Sequence, residues 1–148
     1  MAMVIYLGAD HGGFELKEKI KRLLASMNLH FEDLGTHTPD SVDYPEYGAK
    51  VAKAVAKKKD ACGIAVCGTG IGICMAANKV PGARATLAYN NESAKMSKEH
   101  NNSNILCLGG RTMEHDAALE MVKIWLTTPY SNEDRHNRRL REIAELEK

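Results

Sequence analysis

Ala61-Cys62-Gly63-Ile64-Ala65-Val66-Cys67-Gly68-Thr69-Gly70-Ile71-Gly72-Ile73 is the stretch whose reading decides the fold. Ala61 to Val66 is short, apolar and closed by glycine, which predicts a buried parallel strand over Cys62 to Val66. Ile71 to Lys79 reads as the start of a helix. A glycine-rich turn between strand and helix turns several backbone N–H groups toward one point. Together with the positive end of the helix, such a nest holds anionic oxygen. The same field favours the thiolate of a neighbouring cysteine. Cys67 and Thr69 beside an oxyanion trap point to proton transfer on a small oxygenated substrate.

Two other readings bear on this stretch. Cysteine is commonly a small buried hydrophobe, and Cys62 and Cys107, inside apolar strand-like runs, read as core. Cys67 differs because it closes its strand at the carboxyl end, where open α/β sheets place their ligands. The glycines also invite a dinucleotide reading. That fingerprint is G-x-G-x-x-G, with an acid about twenty residues on for the ribose. Gly68, Gly70 and Gly72 give G-x-G-x-G, and Leu87, Ala88, Tyr89 and Asn90 stand where the acid belongs.

Outward from this stretch, strand-like runs alternate with helical periods. Val4 to Ala9, Phe31 to Leu34, Cys62 to Val66, Ala83 to Ala88 and Ile105 to Leu108 are the strands. Helical spacing links Leu16, Ile20, Leu23, Leu24 and Met27, then Val51, Ala52, Val55 and Ala56, then Met113 through Trp125. Such alternation forces parallel strands and right-handed crossovers. The predicted fold is α/β, a three-layer, doubly wound, Rossmann-like sandwich with a five-stranded parallel sheet. Thr128-Pro129 ends the penultimate helix, and the last is predicted over Ser131 to Lys148, capped by Ser131 or Asn132.

The 148 residues fit one domain, 1–148. Twenty basic and nineteen acidic residues nearly cancel, which removes the global electrostatic case for nucleic acid. No apolar run approaches the roughly 18 residues of a membrane span. The amino terminus enters Met3-Val4-Ile5-Tyr6-Leu7 without a charged leader, and the four cysteines form no C-x-x-C pair. Reduced thiols and a cytoplasmic location are expected.

Asp10-His11-Gly12-Gly13, Cys67 to Gly72, Tyr89-Asn90-Asn91 and Gly109-Gly110-Arg111 follow strands and would open onto one rim. His100-Asn101-Asn102 closes a helix just before the fifth strand, which puts it at the opposite rim unless its loop bends back. A histidine there also serves as an ordinary helix-end residue. Arg135, His136, Arg138, Arg139 and Arg141 crowd the start of the last helix, where the macrodipole disfavours cations. Arg135 and Arg139, four apart, make a fork suited to phosphate, and a solvated face paired with Glu142, Glu145 and Glu147 is the equal alternative.

Taken together, Gly8-Ala9-Asp10-His11-Gly12-Gly13, Asp43-Tyr44-Pro45, Cys67-Gly68-Thr69-Gly70-Ile71-Gly72, Ala76-Ala77-Asn78-Lys79, His100-Asn101 with Asn104, Gly109-Gly110-Arg111 and Arg135-His136 with Arg139 closely resemble the type B ribose-5-phosphate isomerases and their allose- and galactose-6-phosphate relatives. The resemblance covers essentially the whole chain. It implies a five-stranded parallel sandwich that forms a homodimer or dimer of dimers with shared active sites. It also implies interconversion of ribose 5-phosphate and ribulose 5-phosphate, a step of the pentose phosphate pathway, without metal or organic cofactor. A six-carbon substrate such as allose 6-phosphate, or a non-catalytic sugar-phosphate-binding module, is the alternative.

By the same resemblance Cys67 is the base that moves a proton between C2 and C1 through an enediolate. Thr69 assists transfer between the two oxygens, and the N–H groups of Gly70, Ile71 and Gly72, next to Gly68, hold the developing charge. His100 opens the furanose with help from Asp10, and Asn101 holds sugar oxygens. His11, Arg111, Arg135 and Arg139 bind phosphate, the last two from the partner subunit. Asp43 and Tyr44 match a motif near the site. Some members use a glutamate six residues after the cysteine position, and here that residue is Ile73.

Overall fold

The strand read from Ala61 lies in the middle of the sheet, hydrogen-bonded on both sides. The computed structural model describes residues 3–148. The elements are β1 (Val4–Ala9), α1 (Phe14–Ser26), β2 (Phe31–Asp33), α2 (Tyr44–Ala56), β3 (Ala61–Cys67), α3 (Ile71–Ala77), β4 (Ala85–Leu87), α4 (Asn91–Glu99), β5 (Ile105–Gly109), α5 (His115–Thr127) and α6 (Asp134–Glu145). All five strands are parallel, in the order β2-β1-β3-β5-β4. Among the described residues, no helix is long and apolar enough to cross a membrane.

Side chains alternate across a strand, so β3 sends Cys62, Ile64 and Val66 to one face and Ala65 and Cys67 to the other. On the first face they pack with Leu16, Ile20 and Leu24 of α1 and with Met121, Val122 and Trp125 of α5. On the second they meet Val51, Ala52 and Val55 of α2 and Ile73 and Ala77 of α3. A strand covered on both faces has no polar side to show, which is why the run reads as continuously apolar. The two helical layers make the expected three-layer sandwich.

Most boundaries shift by one or two residues, and those of β4 and the last helix have a visible cause. β4 pairs only over Ala85–Leu87, because Arg84 spends its backbone on Asn104: its N–H donates to Oδ1 at 2.7 Å and its carbonyl accepts the Asn104 N–H at 3.1 Å. The last helix begins at Asp134 rather than Ser131, and neither Ser131 nor Asn132 caps it. Asn132 adopts φ 57°, a left-handed turn that ends the approach, and its Oδ1 and carbonyl oxygen accept instead from Asn137 Nδ2 at 3.1 and 3.3 Å. The N-cap is Glu133, which makes no side-chain capping bond.

Candidate active site

β1, β3 and β5 end side by side, with Ala9 in register with Val66 and Cys67 with Gly109. Their following loops therefore share one rim, as the sequence predicts. Cys67 is the last residue of β3 and only 4% exposed. Gly70 turns the chain with φ 80°, a conformation side chains disfavour, and this brings its N–H onto Cys67 Sγ at 3.2 Å. The next N–H, of Ile71, donates to Thr69 Oγ1 at 3.2 Å. Gly72 and Ile73 follow, and their N–H groups have no hydrogen-bond partner among the described residues. The turn thus carries one amide on the thiol, one on the threonine hydroxyl, and two that remain available to an anion.

Neighbouring loops close around this turn. The Tyr44 ring at the start of α2 lies directly against Gly72, leaving no room there for a side chain. Asp43, the α2 N-cap, is exposed and makes no capping bond with its side chain. Asp10 is buried, and its Oδ1 accepts the Gly13 N–H at 3.1 Å. His11 Nδ1 lies 3.1 Å from the Val42 backbone nitrogen and 3.2 Å from the Val42 carbonyl oxygen, so the ring is tied to the Val42 backbone through that nitrogen. The Arg111 N–H donates to the Gly68 carbonyl at 2.9 Å, and its side chain crosses Gly68. Asp10, His11, Tyr44, Cys67 to Gly72 and Arg111 are thereby gathered on one rim.

Of the other cysteines, Cys62 is packed on the opposite face of the sheet, while Cys107 and Cys74 lie on the same face as Cys67. Burial pushes the Cys62 thiol up to about 11. Contact with the Cys74 thiol, together with burial, raises Cys107 well above its ordinary value.

His100, Asn101, Arg135 and Arg139 are not brought to this rim. α4 runs back toward the start of β5, and His100 is its C-cap. The chain then stays there: the Asn102 N–H donates to the Lys98 carbonyl at 3.2 Å, and the Asn102 carbonyl accepts from Arg84 Nε at 2.8 Å, just before β4. Asn102 lines a cavity of about 390 Å³ with Met3, Ala61 and Cys62, at the beginnings of β1 and β3. β5 spans the two rims with five residues, about 15 Å. The loop does not bend back, so within one chain His100 lies on the far side from Cys67. α6 joins it there: the Ser131 N–H donates to the Glu99 carbonyl at 3.0 Å. The Arg135 guanidinium lies 2.9 Å from the Glu133 carboxylate, while Arg139 is exposed.

With this geometry established, comparison with known proteins is specific. The ribose/galactose isomerase family matches residues 5–143. The chain belongs to this family. It is 41% identical over 147 residues to ribose-5-phosphate isomerase B of Mycolicibacterium paratuberculosis, covering 99% of this chain and 92% of that one. A solved ribose-5-phosphate isomerase B from Clostridium thermocellum superposes with a TM-score of 0.95 at 47% identity, covering 98% of this chain and 97% of the other. The Mycoplasma genitalium enzyme, solved with bound ribulose-5-phosphate, gives 0.95 at 36% identity over 99% and 97%.

Two histidines that the sequence reading left without a role belong to the surroundings of these isomerase residues. His115 Nε2 donates to the Gly110 carbonyl at 2.8 Å, and its Nδ1 takes a hydrogen from Lys19 Nζ at 2.8 Å, which ties the loop before Arg111 to α1. His136 stacks on His100. His136 stands in the basic cluster and the Arg135-His136 motif but was given no role of its own, and no sequence pattern marks His115, because a single histidine on a helix carries no periodicity of its own.

Proposed function

We propose that this isomerase interconverts D-ribose 5-phosphate and D-ribulose 5-phosphate, with Cys67 as the base. The observation that carries the reading is the Cys67 thiol held at the end of β3 under the Gly70 amide, with the Gly72 and Ile73 amides open beside it. The position six residues on offers no rival base, because Ile73 is fully buried in the core.

The chemistry balances with these groups alone. The Cys67 thiolate takes the proton from C2 of the open-chain aldose, and the freed pair forms the C1–C2 double bond as the carbonyl electrons move onto O1. The open amides stabilise that charge where it develops. Thr69 relays the O2 proton to O1, the O2 electrons re-form a carbonyl at C2, and Cys67 returns its proton to C1. His100 opens the furanose with Asp10, and Asn101 holds sugar hydroxyls. Arg111 and His11 bind phosphate together with Arg135 and Arg139, while Asp43 and Tyr44 border the sugar.

The two groups of residues sit on opposite rims of one chain, so the complete site is shared by a homodimer, in which the partner's His100, Asn101, Arg135 and Arg139 meet Cys67. Exposed apolar side chains support such an interface: Ile71 and Met75 on α3 beside the rim, and Ile143 and Leu146 at the end of α6. The charge pattern of α6 supports its reaching toward the partner's phosphate.

A coupled assay on purified protein tests the reading. Turnover of ribose 5-phosphate, insensitive to chelator and exceeding that of six-carbon phosphates, is the expected result. Preference for allose 6-phosphate would reassign the substrate, and no turnover of any sugar phosphate would leave only a binding module.

A further inference from the structure

α6 is an exposed helix with a single buried residue, His136, which is 5% exposed. Its ring lies flat on that of His100, with centroids 4.4 Å apart and planes 15° from parallel. The stack joins two elements. His100 caps the end of α4, His136 is the third residue of α6, and the Ser131-to-Glu99 hydrogen bond pins the approach between them.

Hydrogen bonding does not explain the burial of His136. Its Nε2 is 3.3 Å from Glu133 Oε2 but off the line of the N–H, and it has no hydrogen-bond partner among the described residues. Burying an unpaired ring nitrogen is unfavourable, so the contact that holds the ring there is the stack itself. The charged and titratable groups facing His136 are His100 from α4 and Glu133, Arg135 and Arg139 from the α6 segment. Burial, then the neighbouring His100, Arg135 and Arg139, hold His136 below the usual histidine range against the opposing pull of Glu133.

We infer that His136 is a positioning residue for His100: its ring is a fixed shelf that sets the plane of the His100 imidazole for opening the furanose. This rests on the ring-opening role proposed for His100. The shelf covers one face of the imidazole, so proton exchange is confined to the ring edge, and Arg135 and Arg139 on the same helix keep the phosphate and the ring-opening group in one rigid unit. An imidazole at the end of a helix would otherwise rotate freely, and misplacement by about 1 Å costs rate.

The test compares initial rates from ribose 5-phosphate, which must be opened, with those from ribulose 5-phosphate, which forms no furanose. His136→Ala is expected to lower kcat from the aldose by roughly tenfold to a hundredfold, with KM and the ketose rate changed by less than about threefold. His136→Phe restores a flat ring without a titrating nitrogen and is expected to recover the aldose rate to within about threefold. His100→Asn, run in parallel, separates the two readings. If it slows the aldose direction selectively while His136→Ala slows both directions equally or neither, His136 serves only the fold and the shelf is overturned. If His100→Asn itself slows both directions equally, the ring-opening role fails and the shelf falls with it. Should His136→Ala not fold, the His136→Phe and His136→Gln proteins decide. The His100 ring proton, shifted upfield by the stacked ring in the native protein, is expected to keep that shift in His136→Phe and lose it in His136→Gln. Loss of the aldose rate in His136→Phe overturns the proposal.

Discussion

The rim around Cys67 and the end of α4 with α6 are built in opposite ways. At the rim almost every functional group is tied to backbone of its own neighbourhood: Asp10 to the Gly13 amide, His11 to the Val42 backbone, Cys67 to the Gly70 amide, Thr69 to the Ile71 amide. At the far side the groups are held by one another, His100 by the His136 ring and Arg135 by Glu133, on a helix that is otherwise exposed. The contrast follows from chemistry. Moving a proton between adjacent carbons needs donors fixed before the charge appears. Gripping a phosphate and opening a ring needs cations that reach outward. Under the function proposed above, a chain that keeps the first kind on its sheet and the second on α6 would complete its site when two copies meet.

The largest effect expected from breaking this contrast is at the rim. Cys67→Ala removes the only base in the turn and is expected to reduce turnover by about a hundredfold to ten-thousandfold in both directions, with substrate affinity retained. Initial rates from aldose and ketose, with calorimetric binding of ribulose 5-phosphate, check this. Retention of most activity would strip the rim of its catalytic role.

The next effect belongs to the far side. Arg135→Ala and Arg139→Ala are each expected to weaken substrate binding by roughly 1.5 to 3 kcal/mol, the worth of a charge-assisted hydrogen bond, with less effect on kcat. Mixing inactive Cys67→Ala protein with inactive Arg135→Ala/Arg139→Ala protein is the sharper form. Hybrid dimers carrying one intact site should regain activity, and failure to do so after proven subunit exchange would put both halves of the site in one chain. Unchanged affinity in both arginine variants would return the cluster to a solvated face.

This split also explains what was legible in the sequence. The five strands and the rim can be read from it because a parallel strand buried on both faces is a continuous apolar run and its carboxyl end is marked by glycine. The placement of His100 was left open for a physical reason: the topology of one chain puts it on the rim opposite Cys67, and strand and helix patterns say nothing of what a second copy would bring. The start of α6 was misplaced because Ser131 and Asn132 are good capping residues by type, yet Asn132 is committed to Asn137 and turns left-handed. His136 was read only as part of the basic cluster and the Arg135-His136 motif, and His115 was passed over, because stacking and a single carbonyl contact are tertiary facts. The phosphate fork and the solvated face at Arg135 and Arg139 look alike in sequence and are separated by the affinities of the arginine variants.

A smaller effect tests whether the rim is held rigid from within the chain. Lys17, 1% exposed, lies 2.7 Å from Asp33 Oδ2, and Lys21 lies 2.9 Å from the same oxygen. Asp33 Oδ1 accepts the Gly35 N–H at 2.9 Å, fixing the start of the loop that leads to Val42 and His11. Burial opposes ionisation of Asp33, but the two lysines and the Gly35 amide outweigh it and leave its carboxyl below the ordinary aspartate range. A depressed folded-state value means that the unfolded chain binds the proton first. The stabilisation is therefore complete above the ordinary aspartate range and is lost as pH falls through it toward the folded value. Asp33→Asn is expected to flatten this acid limb of the thermal-melting profile, and an unchanged limb would remove the network from the account.

The smallest effect is expected five residues back along β3 and on the opposite face of the sheet from the base. Cys62 belongs to the same strand as Cys67 but points to the α1 and α5 side, where burial lifts its thiol to about 11. At neutral pH it stays protonated, so it is neither a nucleophile nor a base. Cys62→Ala should leave kcat within about twofold and cost on the order of 1 kcal/mol of stability, the ordinary result of trimming a packed side chain. Alkylation with iodoacetamide at pH 8, followed by peptide mapping, is expected to leave Cys62 unmodified in the folded protein. If Cys62→Ala instead lost turnover to the extent of Cys67→Ala while still folded, position on the strand end would not be what selects the base, and the division between a catalytic rim and an inert core would fail at its simplest point.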